Sequence, residues 1–600
     1  MPHSAQSGLR RPLLARAISA LTLGAMVAAT PLPALARPLP AKNVTVRADA
    51  TGPAKRVQSG ASAHAMVAAA NPLAVAAGMR VLKAGGSAVD AAVAIQAVLG
   101  LVEPQSSGLG GGSFMVFYDA KTRKVSAYDG RETAPAGANP RQFLHPDGTP
   151  MTYAEAVTGG QSSGIPGAIA MLDMAQKEHG KLPWKILFGP ARQLATEGFI
   201  VSPRLAGMIT SRAPQAHMAD AQAYFRNADG TQMKAGDRLI NKAYADSLDL
   251  IAANRSAGLL SGPLAEAILQ RIHTGPAPSP MTLADMAAYK PRKTEALCRP
   301  YRAYIICTPQ APSGGLPVQE AMGILAHTDI NKRSAKDEKG WYLLSQASRL
   351  AYADRDKYEG DPAFVPVPTD GLLAPDYLAK RAALIGEQAQ PVTYGVPAGA
   401  PKVGPDHTLE PGGTSHIVIV DADGNALSMT TTVESIFGNG HMVGGFFMNN
   451  QLTDSSFAPD NADGTPAANA VAPGKRPRSS MAPTIVLDKA TGHFAAATGS
   501  PGGTAIVGYV VKALVGILDW KMSPQDAVAL PNLVAMGNKY SADKFPDDIT
   551  QALAARGEVL DTQRGENSGL QAIVYQPKGT AGIRYIGGAD PRREGIARGF

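Results

Sequence analysis

The stretch AVDAAVAIQAVLGLVEP, opened by Ser87, constrains the fold more than any other part of this chain. It reads as a serine-capped helix, yet alanine and valine run around every side and leave no polar face. A helix of that kind has to be packed on nearly all sides, so it belongs in the interior of a well-packed globular protein. The composition permits this: 600 residues, 45% hydrophobic and 18% charged, with 63 Gly and 47 Pro. Such a balance excludes a mostly disordered chain, a coiled coil and a collagen-like fibre. Length alone suggests roughly four domains of about 150 residues, a soft expectation because α/β cores run long.

Caps and periodicity make the neighbouring elements legible. Asn71 can cap a helix with Pro72 at its first position, and LAVAAGMRVLKAGG ends on a glycine stop. After the Ser87 helix, SGLGGGSFMVFYDAKTRKVSAYDGRE predicts a glycine loop and a β-hairpin of FMVFYD and VSAYDG. Residues 165–390 read mainly helical, and the chain turns loop-like over 395–413. From Thr414 it becomes strongly β: HIVIVD, the turn ADGN and ALSMTTTV, with TIVLD and FAAATGS after a basic loop. The arrangement is α+β, with helices outside and antiparallel strands inside, and lacks the βαβ alternation of a parallel sheet.

Arg10, Arg11 and Arg16 precede an apolar run from Ala17 to Leu32, and the stretch closes on Ala34-Leu35-Ala36. This is the pattern of a secretory signal peptide over 1–36, too short and too proline-broken for a bilayer span. Residues 37–60 read as a loose lead-in. A soluble protein exported to the periplasm or the medium is expected. The net charge of +8 falls by three without the acid-free leader, leaving too little to argue for nucleic acid. Two cysteines exclude a disulfide-stapled scaffold and a thiolate zinc cluster. CRPYRAYIIC reads as a turn leading into a strand. Extended at about 3.3 Å per residue, it would hold Cys298 and Cys307 beyond disulfide reach, which predicts two free thiols.

Several motifs have bland readings. Gly108-Leu109-Gly110-Gly111-Gly112-Ser113 lacks the third glycine of a dinucleotide fingerprint and follows a helix instead of a strand, so it reads as a backbone turn. Gly160-Gln161-Ser162-Ser163-Gly164 matches G-x-S-x-G literally, but no buried strand precedes the serine. Asp421-Ala422-Asp423-Gly424-Asn425 has no twelfth-position Glu and reads as a hairpin turn, not a calcium loop. Lys475-Arg476-Pro477-Arg478 reads as a solvated basic loop. The 11 histidines form no metal-ligand spacing, so no metal or other cofactor is expected.

Gly412-Gly413-Thr414-Ser415-His416 is different, because a glycine-ended loop meets a hydroxyl residue that opens a strand. Threonine is a poor nucleophile at neutral pH unless a base sits beside it. A chain cut before Thr414 supplies one: a free α-amine, of ordinary pKa about 7.7–8.0, on the residue that carries the Oγ. Taken alone, a Gly-Gly-Thr is also common in turns.

The chain resembles the gamma-glutamyltranspeptidases, N-terminal-nucleophile enzymes made as single precursors. The resemblance runs from about Ala65 to the C-terminus and is carried by NPLAVAAGMRVLKAGGSAVDAAVA, VEPQSSGLGGGSFM, DGRETAP, SGIPGAI, APSGG, GTSHIVIVDADGNALSMTTT, FMNNQLTD, KRPRSSMAPT and TGSPGG. It implies an αββα sandwich formed jointly by two subunits, 37–413 and 414–600, cut from one precursor between Gly413 and Thr414. It implies a γ-glutamyl transferase/hydrolase acting on glutathione and related donors through an ester on Thr414, with water, amino acids or dipeptides as acceptors. By the same resemblance Thr432 hydrogen-bonds the nucleophile, and the amides of Gly502 and Gly503 form the oxyanion hole. Arg131, Ser479 and Ser480 would hold the donor's α-carboxylate, and Gln451 and Asp454 its α-ammonium.

Two departures qualify this. Glu434 stands where most members carry an asparagine that contacts the α-amino group, which crowds a second negative charge near Asp454. The segment FGNGHMVGGFFMNN is short, and the loop from Ser455 to Arg478 has no tyrosine or tryptophan to close over the donor. Both resemble a branch with cephalosporin acylases, so a glutaryl amidase is the alternative. A poorly processed homologue that only binds glutamyl peptides is a third reading.

Overall fold

The computed structural model describes residues 59–600 apart from 276, 407, 409, 564–566 and 578–581. The expected leader over 1–36 and most of the lead-in lie outside the described residues. The described residues form one compact unit, so the expectation of about four domains fails: two large sheets share one interior, and no linker divides them among the described residues.

The helix expectations at the start hold. Asn71 caps Pro72–Lys83 by accepting from the Leu73 amide. Ser87 and Asp90 form a reciprocal capping box on Ala88–Val102, whose residues are all buried. Two seven-stranded antiparallel sheets lie between layers of helices. One runs Gly60–Ser62, Tyr585–Ala589, Gln571–Tyr575, Phe494–Gly499, Thr484–Asp488, Tyr304–Thr308, Leu297–Tyr301. The other runs Ile596–Gly599, Met66–Ala69, Gly413–Val420, Ala426–Glu434, Gly112–Asp119, Lys124–Gly130, Arg292–Glu295.

Strand alternation builds the layers. Val418 and Val420 point between the sheets with Met66, Val116, Ile485 and Ile573. Ile417 and Ile419 point the other way, into a core shared with Val93, Ile95 and Leu99 of the buried helix. On the far side, Gly315–Ala326, Glu338–Tyr358 and Ile506–Leu518 cover the outer face of the first sheet, around Val486, Ala496 and Ala572. The result is the αββα sandwich. The pair Gly413–Val420 and Ala426–Glu434 sits between Met66–Ala69 and Gly112–Asp119, so chain on both sides of residue 413 is interleaved in one sheet. No helix among the described residues is long and apolar enough to cross a membrane.

The cysteine expectation is overturned. CRPYRAYIIC folds back at Arg302, whose φ is 52°, into the antiparallel strands Leu297–Tyr301 and Tyr304–Thr308. Cys298 and Cys307 then face each other 4.1 Å apart at Cα and form a disulfide. The extended distance along the chain was the wrong measure, because a tight turn brings directly opposed residues together. Denatured but unreduced protein should therefore show no free thiol, and two after reduction. Titration of two thiols without reductant would contradict the pairing. Loss of the bridge should cost about 2–3 kcal/mol for a loop this short.

Candidate functional site

The strand Gly413–Val420 begins at the residue pair expected to be cut. Gly413 lies opposite Glu434 and Thr414 opposite Thr432, so Val433 is an extra residue that bulges the ladder. The bulge places Glu434 at φ 80°, a region that side chains rarely adopt. It also brings the backbones close: a Cβ on Gly413 would sit 2.4 Å from the Ser435 carbonyl carbon, and one on Gly111 1.9 Å from the Thr432 carbonyl oxygen. The GLGGGS turn thus lets the chain pass against the strand paired with Thr414.

Hydroxyl chemistry orders this site. Thr432 Oγ1 lies 2.8 Å from the Gly413 carbonyl, to which it donates, and it accepts from the Glu434 amide at 2.8 Å. A hydroxyl has one proton to give, so in the remaining 3.0 Å contact Thr414 Oγ1 donates to Thr432. The Thr414 hydroxyl proton and the polarisation of the preceding carbonyl therefore meet on one side chain. The Thr414 carbonyl is fixed by Arg593 Nη1 at 2.9 Å. His416, two residues on, is no base for it: burial pushes its pKa down to about 3, and Nδ1 is bound to Thr430.

The residues expected around a donor converge. Arg131, directly after Lys124–Gly130 and buried, donates to Asp454 Oδ2 at 2.6 Å and to the carbonyls of Pro477 and Arg478. Gln451 Nε2 donates to the same Asp454 oxygen at 2.6 Å. Glu434 Oε2 accepts from Tyr153 Oη at 3.0 Å and from Asn450 Nδ2. Glu434 Oε1, Gln451 Oε1 and Asp454 Oδ1 are buried and receive no nitrogen or hydroxyl donor, and the Glu434 and Asp454 carboxyls lie within hydrogen-bond reach of each other. Burial raises the pKa of Glu434 well above the carboxylate range, and the charge of Asp454 raises it further. Burial also pushes Asp454 up to about 6, against the pull of Arg131.

The basic loop is not solvated. Lys475, Arg476 and Arg478 are buried; Arg476 lies 3.2 Å from Asp129 and Arg478 3.5 Å from Asp406. The solvated-loop reading fails because acids from distant segments cover the charges. The loop delivers Ser479, whose amide donates to the Pro312 carbonyl at 2.8 Å, and Ser480, whose hydroxyl accepts from Arg355 at 2.7 Å. Gly502 and Gly503 have φ 142° and 58°, and both meet neighbours that exclude a Cβ: the Tyr509 ring and the Glu410 carbonyl. Their turn faces the segment before Thr414, with Gly412 beside Gly502.

Of the motifs set aside, Ser162, in a 3₁₀ turn, donates its hydroxyl to the Gly159 carbonyl at 2.7 Å, and the Asp421 carboxylate closes its own hairpin turn. Residues the sequence reading passed over are Tyr153, Asn450, Glu410, Arg355 and Arg593. Asn450 stands inside FMNNQLTD and was open to notice; Arg593 meets Thr414 across 179 positions, with no local signal.

A family model described as gamma-glutamyltranspeptidase matches residues 74–600. The chain is 35% identical to the glutathione hydrolase proenzyme of Bacillus subtilis (strain 168), over 89% of this chain and 91% of that one. It is 33% identical to the glutathione hydrolase proenzyme of Escherichia coli (strain K12), over 96% and 97%. Among solved structures, the cephalosporin acylase from Bacillus halodurans superposes with a TM-score of 0.79 at 25% identity, covering 93% of this chain and 99% of that one.

Proposed function

The chain belongs to the gamma-glutamyltranspeptidase family, and from that premise we propose that it cuts itself between Gly413 and Thr414 and then hydrolyses or transfers the γ-glutamyl group of glutathione and related donors. In the cut, Thr414 Oγ adds to the Gly413 carbonyl carbon while its proton passes towards Thr432. The C–N bond breaks, the Thr414 nitrogen takes up a proton and becomes the free α-amine, and water opens the resulting ester to leave a Gly413 carboxylate. Interleaved strands would keep 37–413 and 414–600 together as a heterodimer.

In the mature reaction the α-amine accepts the proton as Thr414 Oγ attacks the donor's γ-carbonyl. The amides of Gly502 and Gly503 would receive the oxyanion that exists only at the tetrahedral stage. The leaving amine takes the proton, and water or an amino acid or dipeptide amine then removes the γ-glutamyl group. The single observation that carries the donor assignment is the buried cluster beside Arg131 in which no nitrogen donor reaches Glu434 Oε1, Gln451 Oε1 or Asp454 Oδ1. An ammonium can donate to these oxygens in place of the Glu434–Asp454 contact, and Arg131 Nη1, which makes none of the bonds named above, can pair a carboxylate, with Ser479 and Ser480 completing it. The site thus suits a zwitterionic head. Incubation with glutathione, with and without a dipeptide acceptor, tests this: glutamate and a γ-glutamyl tripeptide are expected, and release of neither overturns the reading.

The basic and apolar leader ending at Ala36 supports export to the periplasm or medium, and the Cys298–Cys307 disulfide suits an oxidising compartment. A second reading, a glutaryl or cephalosporin amidase, is favoured by the likeness to the Bacillus halodurans acylase and by the crowding of Glu434 on Asp454. Thr432→Val should slow self-cleavage by about a hundredfold or more, as for loss of one preorganised donor. Subunit formation followed over hours by denaturing gel checks this, and a wild-type rate would remove Thr432 from the step.

A further inference from the structure

Four residues ahead of Thr414, the buried side chain of Glu410 is held from several directions. Its Oε2 accepts from the Ser480 amide at 2.7 Å. Its Oε1 accepts from Arg355 Nη2 and lies 3.7 Å from Arg478 Nε. The backbone is tied as well: the Glu410 amide donates to Thr504 Oγ1 at 2.8 Å, and the Thr504 amide donates to the Glu410 carbonyl at 2.9 Å. From this anchor the chain crosses the glycine turn. A Cβ on Gly503 would fall 2.0 Å from the Glu410 carbonyl oxygen and 2.6 Å from that of Pro411, and one on Gly412 would lie 3.6 Å from Gly502. Gly413 then delivers its carbonyl to Thr432.

Pro411 has a fixed φ, but Gly412 and Gly413 are the most permissive residues available. Left unanchored, this pair would sample many directions for the carbonyl that Thr414 has to attack, and positioning losses of about 1 Å cost rate steeply. The cradle is built for a carboxylate. Arg355 and Arg478 face Asp356, Glu359 and Asp406 on their other sides, and the Ser480 amide points at Glu410 alone among the described residues.

We propose that Glu410 is the positioning residue of self-cleavage: its carboxylate, docked on Arg355, Arg478 and the Ser480 amide, holds the segment before the cut across the Gly502–Gly503 turn. This rests on the reading that the chain cuts itself before Thr414. Because Ser480 also belongs to the proposed donor site, the anchored segment is a ligand of the uncut chain that has to leave before a donor binds.

The test times self-cleavage of the full chain, made by cell-free translation and followed by denaturing gel, for wild type, Glu410→Gln and Glu410→Ala. Loss of a charge-assisted contact should lengthen the half-time about ten- to a hundredfold. Added formate should restore part of the rate of Glu410→Ala in a saturable way and leave wild type unchanged, a response that a merely structural role would not show. If Glu410→Ala does not fold, the isosteric Glu410→Gln decides alone: slowing of tenfold or more supports the anchor. Rates within twofold of wild type, or a slowed alanine variant that formate leaves unchanged, overturn it. A wild-type chain that stays whole overturns the self-cleavage reading itself, and the anchor with it.

Discussion

Thr414→Ala should remain one polypeptide through purification, and its release of p-nitroaniline from γ-glutamyl-p-nitroanilide should fall at least a thousandfold, to near background. In the proposed mechanism one oxygen carries both steps. Thr414 Oγ1 donates to Thr432 while Thr432 polarises the Gly413 carbonyl, so deleting it should remove attacking atom and proton path together. The free α-amine of the mature enzyme also never forms. Thr414→Ser keeps the oxygen and should still cut, more slowly, because the missing methyl leaves the hydroxyl freer to rotate. Intact mass is the check: two subunits from the alanine variant would end the claim of self-cleavage by Thr414.

The second large effect concerns the donor's ammonium. γ-Glutamyl-p-nitroanilide and glutaryl-p-nitroanilide differ only by that group, and a site built to pair it should reject its absence by orders of magnitude in kcat/KM. Asp454→Asn should lower kcat/KM for the γ-glutamyl compound by about two to three orders of magnitude, since a desolvated cation loses its charged partner, and should narrow or invert the preference. The pH dependence follows from burial. An ammonium binds the ionised carboxylate, so the γ-glutamyl preference is present above the pKa of Asp454, about 6, and is lost as pH falls through it. Glu410 adds to that elevation in the uncut chain, so the mature midpoint should lie at or below this value. The glutaryl compound should show no such loss. Equal kcat/KM for the two compounds in wild type would instead assign the pocket to acylase chemistry.

Much of the fold was legible because its signals are local. Asn71 with Pro72, and Ser87 with Asp90, stand within one helical turn of the elements they start, and the alternation in HIVIVD assigns each side chain to a face before any partner strand is known. Thr414 stood out through its glycines, yet the roles of Arg131, Gln451 and Asp454 rested on family resemblance, since nothing local distinguishes them from hairpin polar residues. Cys298 and Cys307 show the opposite case, where spacing along an extended chain misled and a turn at Arg302 decided.

By itself the sequence determined where helices and strands begin, that the Ala/Val helix is interior, and which threonine follows the glycine pair. These follow from capping, periodicity and apolar faces, which act over a few residues. Only the tertiary structure decided that Glu410 docks on Arg355 and Ser480, that Arg593 holds the Thr414 carbonyl, that the basic loop is buried, and that Glu434, Gln451 and Asp454 gather beside Arg131. Charges and hydrogen-bond donors taken out of water have to find partners wherever the chain brings them. The partners of Glu410 and of the Thr414 carbonyl lie 55 to 179 positions away, a distance over which sequence pattern carries no directional information.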